Sequence, residues 1–150
     1  MKKLLVIILI SILALPAFSQ VKFGIKAGVS TTSLTMDDLK TVTSGTTDGA
    51  TDSLITNGCG GTDDDDVWYT FQATGISHTI DLLNITGGTI DLYIAIFDSN
   101  PCITGDTAVL CSDDENIIVT GFTPGVTYYV QVYSWTSIAG QTSDFDICIG

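Results

Sequence analysis

Gly121-Phe122-Thr123-Pro124-Gly125-Val126-Thr127-Tyr128-Tyr129-Val130-Gln131-Val132-Tyr133 is the stretch from which the fold is read. Thr123-Pro124-Gly125 has the chemistry of a chain reversal, because Pro presets φ and Gly tolerates the left-handed region. Behind it, Val126, Tyr128, Val130 and Val132 alternate with Thr127, Tyr129, Gln131 and Tyr133. Successive side chains of a strand point to opposite faces, so this alternation predicts a β-strand with one apolar face. Its β-branched and aromatic residues suit a pleated surface.

The same pattern extends outward. Upstream, Val67-Trp68-Tyr69-Thr70-Phe71-Gln72-Ala73 is a β-branched and aromatic run that Gly75 ends. Ile76, His78, Ile80 and Leu82 alternate with polar partners up to Asn84-Ile85-Thr86-Gly87-Gly88, which reads as a turn despite its match to a glycosylation pattern. Ile90 to Phe97 places Ile90, Leu92, Ile94 and Ile96 on one face and Asp91, Tyr93, Ala95 and Phe97 on the other. That strand is predicted to be buried on much of both sides. Ala108 to Leu110, Ile117 to Thr120, and Phe145, Ile147 and Ile149 supply further short strands. No segment shows a capped helical period. About seven to nine strands between Gly and Asp turns predict an all-β fold, a jelly-roll-like antiparallel β-sandwich.

Before this body the composition changes. Met1-Lys2-Lys3, the apolar run Leu4 to Leu15, Pro16 and the small-residue end Ala17-Phe18-Ser19 have the order of a cleaved signal peptide. The run is shorter than the roughly 20 residues of a membrane span. Residues 1–19 are therefore set aside, residues 20–50 are expected to be an arm or linker holding one strand, and residues 51–150 the sandwich. Thr31 to Gly61 is rich in Thr, Ser, Gly and Asp, as linkers are. The pattern places the protein outside the cytoplasm, extracellular or at the cell surface of a Gram-negative bacterium, with no membrane insertion after cleavage.

Net charge is −12, and all five basic side chains lie in the first forty residues. From Thr41 to Gly150 there is no Lys or Arg. Such a surface repels phosphate backbones, which excludes nucleic acid as a partner, and anionic membranes by the same argument. Its counter-charges are metal cations, basic proteins or solvent.

Four cysteines in an exported chain read as two disulfides. Three pairings are open. Cys102 and Cys111 flank the turn residues Thr104-Gly105-Asp106, which favours a local bridge and leaves Cys59 for Cys148. With no CxxC and a single His, zinc lacks ligands.

The acidic runs Asp63-Asp64-Asp65-Asp66 and Asp113-Asp114-Glu115 are the candidates for a Ca²⁺ site, since that ion takes six to eight oxygen ligands. Consecutive residues of an extended chain face opposite ways, so both runs would have to meet; otherwise they form a solvated acidic rim. His78 invites a hydrolase triad, but no nucleophile elbow accompanies it, and one Glu is a poor supply for glycosidase acid chemistry. The expectation is no enzyme. Among the aromatics, Trp68, Tyr129 and Trp135 are the candidates for outward-facing ligand contacts, and Trp135, in a loop before Gly140, is the foremost; the alternative is that both sheet faces are partly covered and these residues pack internally.

Asp66-Val67-Trp68-Tyr69-Thr70-Phe71, the Cys-flanked acidic loop, Phe122 to Val132 and the closing Phe145-Asp146-Ile147-Cys148-Ile149 together resemble the bacterial pre-peptidase C-terminal domain family, over Gly58 to Gly150. That resemblance implies a small non-catalytic jelly roll carried by secreted proteases and surface proteins, some of which bind collagen-like polymers or calcium. Val21 to Ser30 is similar to the first strand of an outer-membrane β-barrel family. The function expected is a secreted binding, adhesion or accessory module recognising an extracellular polysaccharide, other polymer or protein partner. The alternative is a structural spacer or folding module, a fragment of a larger surface or secreted protein.

Overall fold

The protein is described by a computed structural model over residues 41–105 and 107–150. Residues 1–19, expected to be a signal peptide, and the alternating stretch Val21 to Ser30 lie outside the described residues. Among these, the chain forms eight strands. In order they are β1 Val42–Thr46, β2 Val67–Gln72, β3 Ser77–Gly87 and β4 Leu92–Phe97, then β5 Leu110–Ser112, β6 Asn116–Thr120, β7 Thr127–Ser134 and β8 Ser143–Ile149. One helical turn, α1 Pro101–Thr104, follows β4.

The strands make two four-stranded sheets, one ordered β1-β8-β3-β6 and the other β2-β7-β4-β5. Every neighbouring pair is antiparallel. Two interleaved sheets of this order are a jelly roll. β1 falls inside the stretch 20–50, so the sandwich takes in residues ahead of 51.

The interior follows from the alternation. Ile80, Leu82, Val119, Phe145 and Ile147 from the first sheet meet Leu92, Ile94, Ile96, Val130 and Val132 from the second. Each such side chain, fully buried, contributes on the order of 1.5–3 kcal/mol. β4 is covered on both faces as its pattern requires: Ala95 and Phe97 are fully buried opposite the main core. Ile90 departs from that pattern. β4 starts only at Leu92, so Ile90 lies in the preceding loop and is exposed.

The second face of β7 holds the main surprise. Gln131 and Tyr133 point away from the core, yet neither has any exposed surface. The stretch preceding β2, linker-like in composition, folds down over the outer face of the β2-β7-β4-β5 sheet. Ile55 and Cys59 pack there with Trp68, Tyr93, Ala95, Phe97, Ala108, Tyr129 and Tyr133.

That covering corrects the cysteine pairing. The bond joins Cys59 to Cys111, with Cα atoms 5.5 Å apart, while Cys102 and Cys148 are free thiols. Cys111 lies opposite Ala95 in the β4–β5 ladder, so it shares the outer face onto which Cys59 is laid. Cys148 is on β8 in the other sheet, with the thickness of the sandwich, roughly 10 Å between sheets, separating it from Cys59. Cys102 sits in the exposed turn α1, aimed by the cap that Asn100 makes to its N–H at 3.1 Å.

Asn84-Ile85-Thr86 is also not a turn. It lies within β3, where the register against β8 shifts between Leu83 and Thr86 and Asn84 takes φ 53°. Asn tolerates that conformation better than most residues, which makes it a natural bulge position.

Candidate functional site

Antiparallel pairing fixes where the connections go. The ends of β1, β3, β5 and β7 and the starts of β2, β4, β6 and β8 all lie at one end of the sandwich. Four loops therefore gather there, and hydrogen bonds tie them together. Trp135 donates its N–H to the Asp91 carbonyl (3.2 Å), Gly88 to that of Thr142 (2.8 Å), and Thr47 to that of Ser143 (2.9 Å). Leu92 donates to Oε1 of Glu115 (3.3 Å), and Ser134 to Oδ1 of Asp65 (2.9 Å). Gly88 is packed so closely on Gly140 that a Cβ would stand 2.0 Å from its carbonyl oxygen.

On these loops the open large apolar side chains are Ile90, 68 % exposed, Ile138, 67 %, Trp135, 43 %, and, on the β1–β2 connection, Leu54, 83 %. Trp135 is the outer member of an aromatic stack. Its ring lies 5.6 Å from that of Tyr93, which lies 5.4 Å from Tyr133, with interplanar angles of 30° and 26°. The indole edge also rests on Gly60, where a Cβ would come within 3.2 Å of it. The Tyr133 hydroxyl donates to the Gly60 carbonyl at 2.7 Å, and burial raises its pKa. So Trp135 is presented and held.

The other two aromatic candidates are placed differently. Trp68 and Tyr129 do face outward from the sheet, but the covering segment half-buries both. Trp68 packs on Phe97 with centroids 5.3 Å apart and donates Nε1–H to Asp66 at 3.0 Å. Ile90 and Ile138 are exposed apolar residues that alternation alone did not mark; each stands within two residues of a Gly in a short loop, Gly88-Thr89-Ile90 and Ile138-Ala139-Gly140, which is the signal that could have found them.

The acidic runs separate into inward and outward members. Asp66 is buried and accepts from Ser53 N–H (3.1 Å), the Ser53 hydroxyl, Trp68 Nε1–H and Gln131 Nε2–H (2.6 Å). Asn57 links Gln131 Oε1 to Asp63, 3.0 Å to each. Burial, opposed by backbone hydrogen bonding, pushes the Asp63 pKa up. Asp64, Asp113 and Asp114 face solvent at the loop end. Both runs thus reach the same end of the sandwich. Among the described residues, no three His, Cys, Asp or Glu side chains come together in a group that could hold a metal ion.

His78 is buried between Phe71 and Phe122, and its Nε2 accepts from the N–H groups of Thr74 (3.2 Å) and Gly75 (3.3 Å). It anchors the β2–β3 turn, and its lone pair is engaged there. On the far sheet, Ser44, Asn84, Asp144 and Asp146 line a shallow depression of about 500 Å³. Asn84 (2.8 Å) and Ser44 (2.7 Å) donate to Asp146 and lower its pKa.

The strand order of its two four-stranded antiparallel sheets places the chain in the class of jelly-roll β-sandwiches. The chain belongs to the T9SS-associated, galactose-binding-domain-like family, whose profile matches residues 28–147. The match bears out a β-sandwich family; it confirms neither the pre-peptidase C-terminal family nor the barrel-like opening. No curated protein sequence matches the chain. Among solved structures, a periplasmic inhibitor of g-type lysozyme from Aeromonas hydrophila is similar at 15 % identity and a TM-score of 0.46, over 74 % of this chain and 84 % of that one. Among the described residues, no helix is long and apolar enough to cross a membrane.

Proposed function

We propose that this chain is an exported, non-catalytic binding module that recognises an extracellular polymer or protein partner through the loop end of its jelly roll. The observation that carries the reading is the exposure of Ile90, Trp135 and Ile138 on loops that backbone hydrogen bonds hold together. Exposed apolar groups clustered at one place cost solubility and mark interaction sites on soluble proteins. Bracing them lowers the ordering entropy lost on binding. Export is supported by the charge, apolar and small-residue order of residues 1–19, by the Cys59–Cys111 disulfide and by the family's association with T9SS. The absence of a catalytic role is supported by His78, whose acceptor nitrogen anchors a turn.

The test is the purified chain probed against immobilised extracellular glycans and matrix proteins, beside a Trp135→Ala variant. Binding that weakens about tenfold in the variant, with an unchanged melting midpoint, supports the reading. Equal binding by both proteins, or none by either, overturns it.

A further inference from the structure

We infer that the partner of the loop end is a cationic protein surface, whose Lys and Arg stems cover Ile90, Trp135 and Ile138 while their heads meet surrounding carboxylates. This deepens the binding-module reading and rests on it. The argument begins with charge. All but two of the 17 acids lie beyond residue 40, and every Lys and Arg lies at or before it. Over residues 41–150 the protein offers its carboxylates no cation of its own.

The loop end concentrates that charge. Asp48 follows β1, Asp64 precedes β2, Asp91 precedes β4, and Asp113 and Asp114 join β5 to β6; all five are exposed. They share that end with apolar side chains that water does not favour, Asp91 next to Ile90 in sequence and Asp64 lining one depression with Ile138. An amphipathic cation answers both needs at once, because Lys and Arg carry long aliphatic stems below a charged head. The half-open indole of Trp135 adds a flat π surface on which a guanidinium can rest. Anionic polymers are repelled by the same field, and a neutral glycan leaves the field unused.

Three synthetic probes test this with the full chain: an amphipathic helical peptide of Lys and Leu, its counterpart with Glu for Lys, and neutral galactose-terminated glycans. The Lys/Leu peptide binds, the Glu/Leu peptide does not, and affinity falls steeply as salt rises. The Ile90→Ser, Ile138→Ser double variant keeps the net charge and loses about tenfold in affinity, or 1.4 kcal/mol. Ile118→Ser, on the outer face of β6, loses nothing, and Asp64→Asn with Asp91→Asn flattens the salt dependence. Melting midpoints confirm that each variant is folded.

Equal affinity of the wild type and the Ile90/Ile138 variant would reduce the effect to unspecific ion pairing and overturn the inference. Binding to the galactose-terminated glycans without binding to the Lys/Leu peptide would overturn the cationic partner and leave the binding module standing. Failure of every probe here, together with an empty glycan and matrix-protein screen, would overturn both.

Discussion

Gln131 Nε2–H donates to Asp66 Oδ2 at 2.6 Å beneath the covering segment, and both residues are buried. With Asn57, Ser53 and Trp68 they form a closed polar layer between the outer face of β7 and the chain laid over it. The layer lets a Thr-, Gly- and Asp-rich segment behave as part of the fold, because its polar groups find partners where water is excluded.

Asp66→Ala removes the acceptor from several donors at once. Its expected cost is about 3 kcal/mol, since each buried donor left unmet costs roughly 1–3 kcal/mol. Asp66→Asn retains one acceptor oxygen and loses less. Urea denaturation measures both; equal stability of wild type and Asp66→Ala would refute this account of the layer.

The disulfide encloses a sequence separation of 52 residues. Chain entropy for a loop of that size predicts a loss of about 4 kcal/mol on reduction or in Cys59→Ser. Alkylation in denaturant should label two cysteines before reduction, Cys102 and Cys148, and four after it. Peptide mapping that finds Cys59 linked elsewhere would remove the pairing.

Gly88→Ala forces a Cβ to within 2.0 Å of the Gly140 carbonyl oxygen. Backbone on both sides must move, and a loss of about 3 kcal/mol is expected, with weaker partner binding because the loops part. Gly49→Ala is the contrast. It has open space but φ +77°, so only strain of about 1–2 kcal/mol arises. Thermal melts of the two variants give the ranking.

Asp146 and Asp63 predict pH effects of opposite sign. Hydrogen bonds from Asn84 and Ser44 hold Asp146 below the ordinary carboxylate value of 3.8. Its stabilisation is present above that value and is lost as pH falls through the depressed folded pKa. Asp63 is raised by burial, so its contribution is present in acid and lost as pH climbs through its folded pKa. In NMR titrations Asn84→Ala should move Asp146 upward. Asp63→Asn should leave stability at neutral pH unchanged or slightly raised, and a marked loss would contradict the burial argument.

Removing divalent ions addresses the calcium expectation. Asp65, Asp66 and Glu115 already accept hydrogen bonds from within the protein. Chelation is therefore expected to leave the melting midpoint unmoved, and a drop restored by Ca²⁺ would show that the outward members Asp64, Asp113 and Asp114 act together.

Much of the architecture was legible from side-chain alternation. β2, β3, β4, β7 and β8 lie where apolar and polar residues take turns, and the double burial of β4 followed from its two apolar faces. The exposure of Trp135 was legible because it stands just past a strand, in a loop. Ile90 was misplaced, since a pattern that continues past the last ladder hydrogen bond does not keep a residue in the sheet. Trp68 and Tyr129 face away from the main core and pack beneath the chain laid over their sheet, as the alternative of two covered sheet faces has it, but the segment that covers them has no periodicity to read.

Taken alone, the order of residues determined the class of fold, the acidic character of residues 41–150 and the two-faced burial of its central strand. Those properties are local: they depend on which side chains sit at positions one or two apart along a strand. Only the tertiary structure decided that Cys59 meets Cys111, that Asp66 meets Gln131, and that four loops share one end. Each of those brings together residues from different strands or loops, and their proximity depends on strand order and sheet stacking, which no short-range pattern encodes.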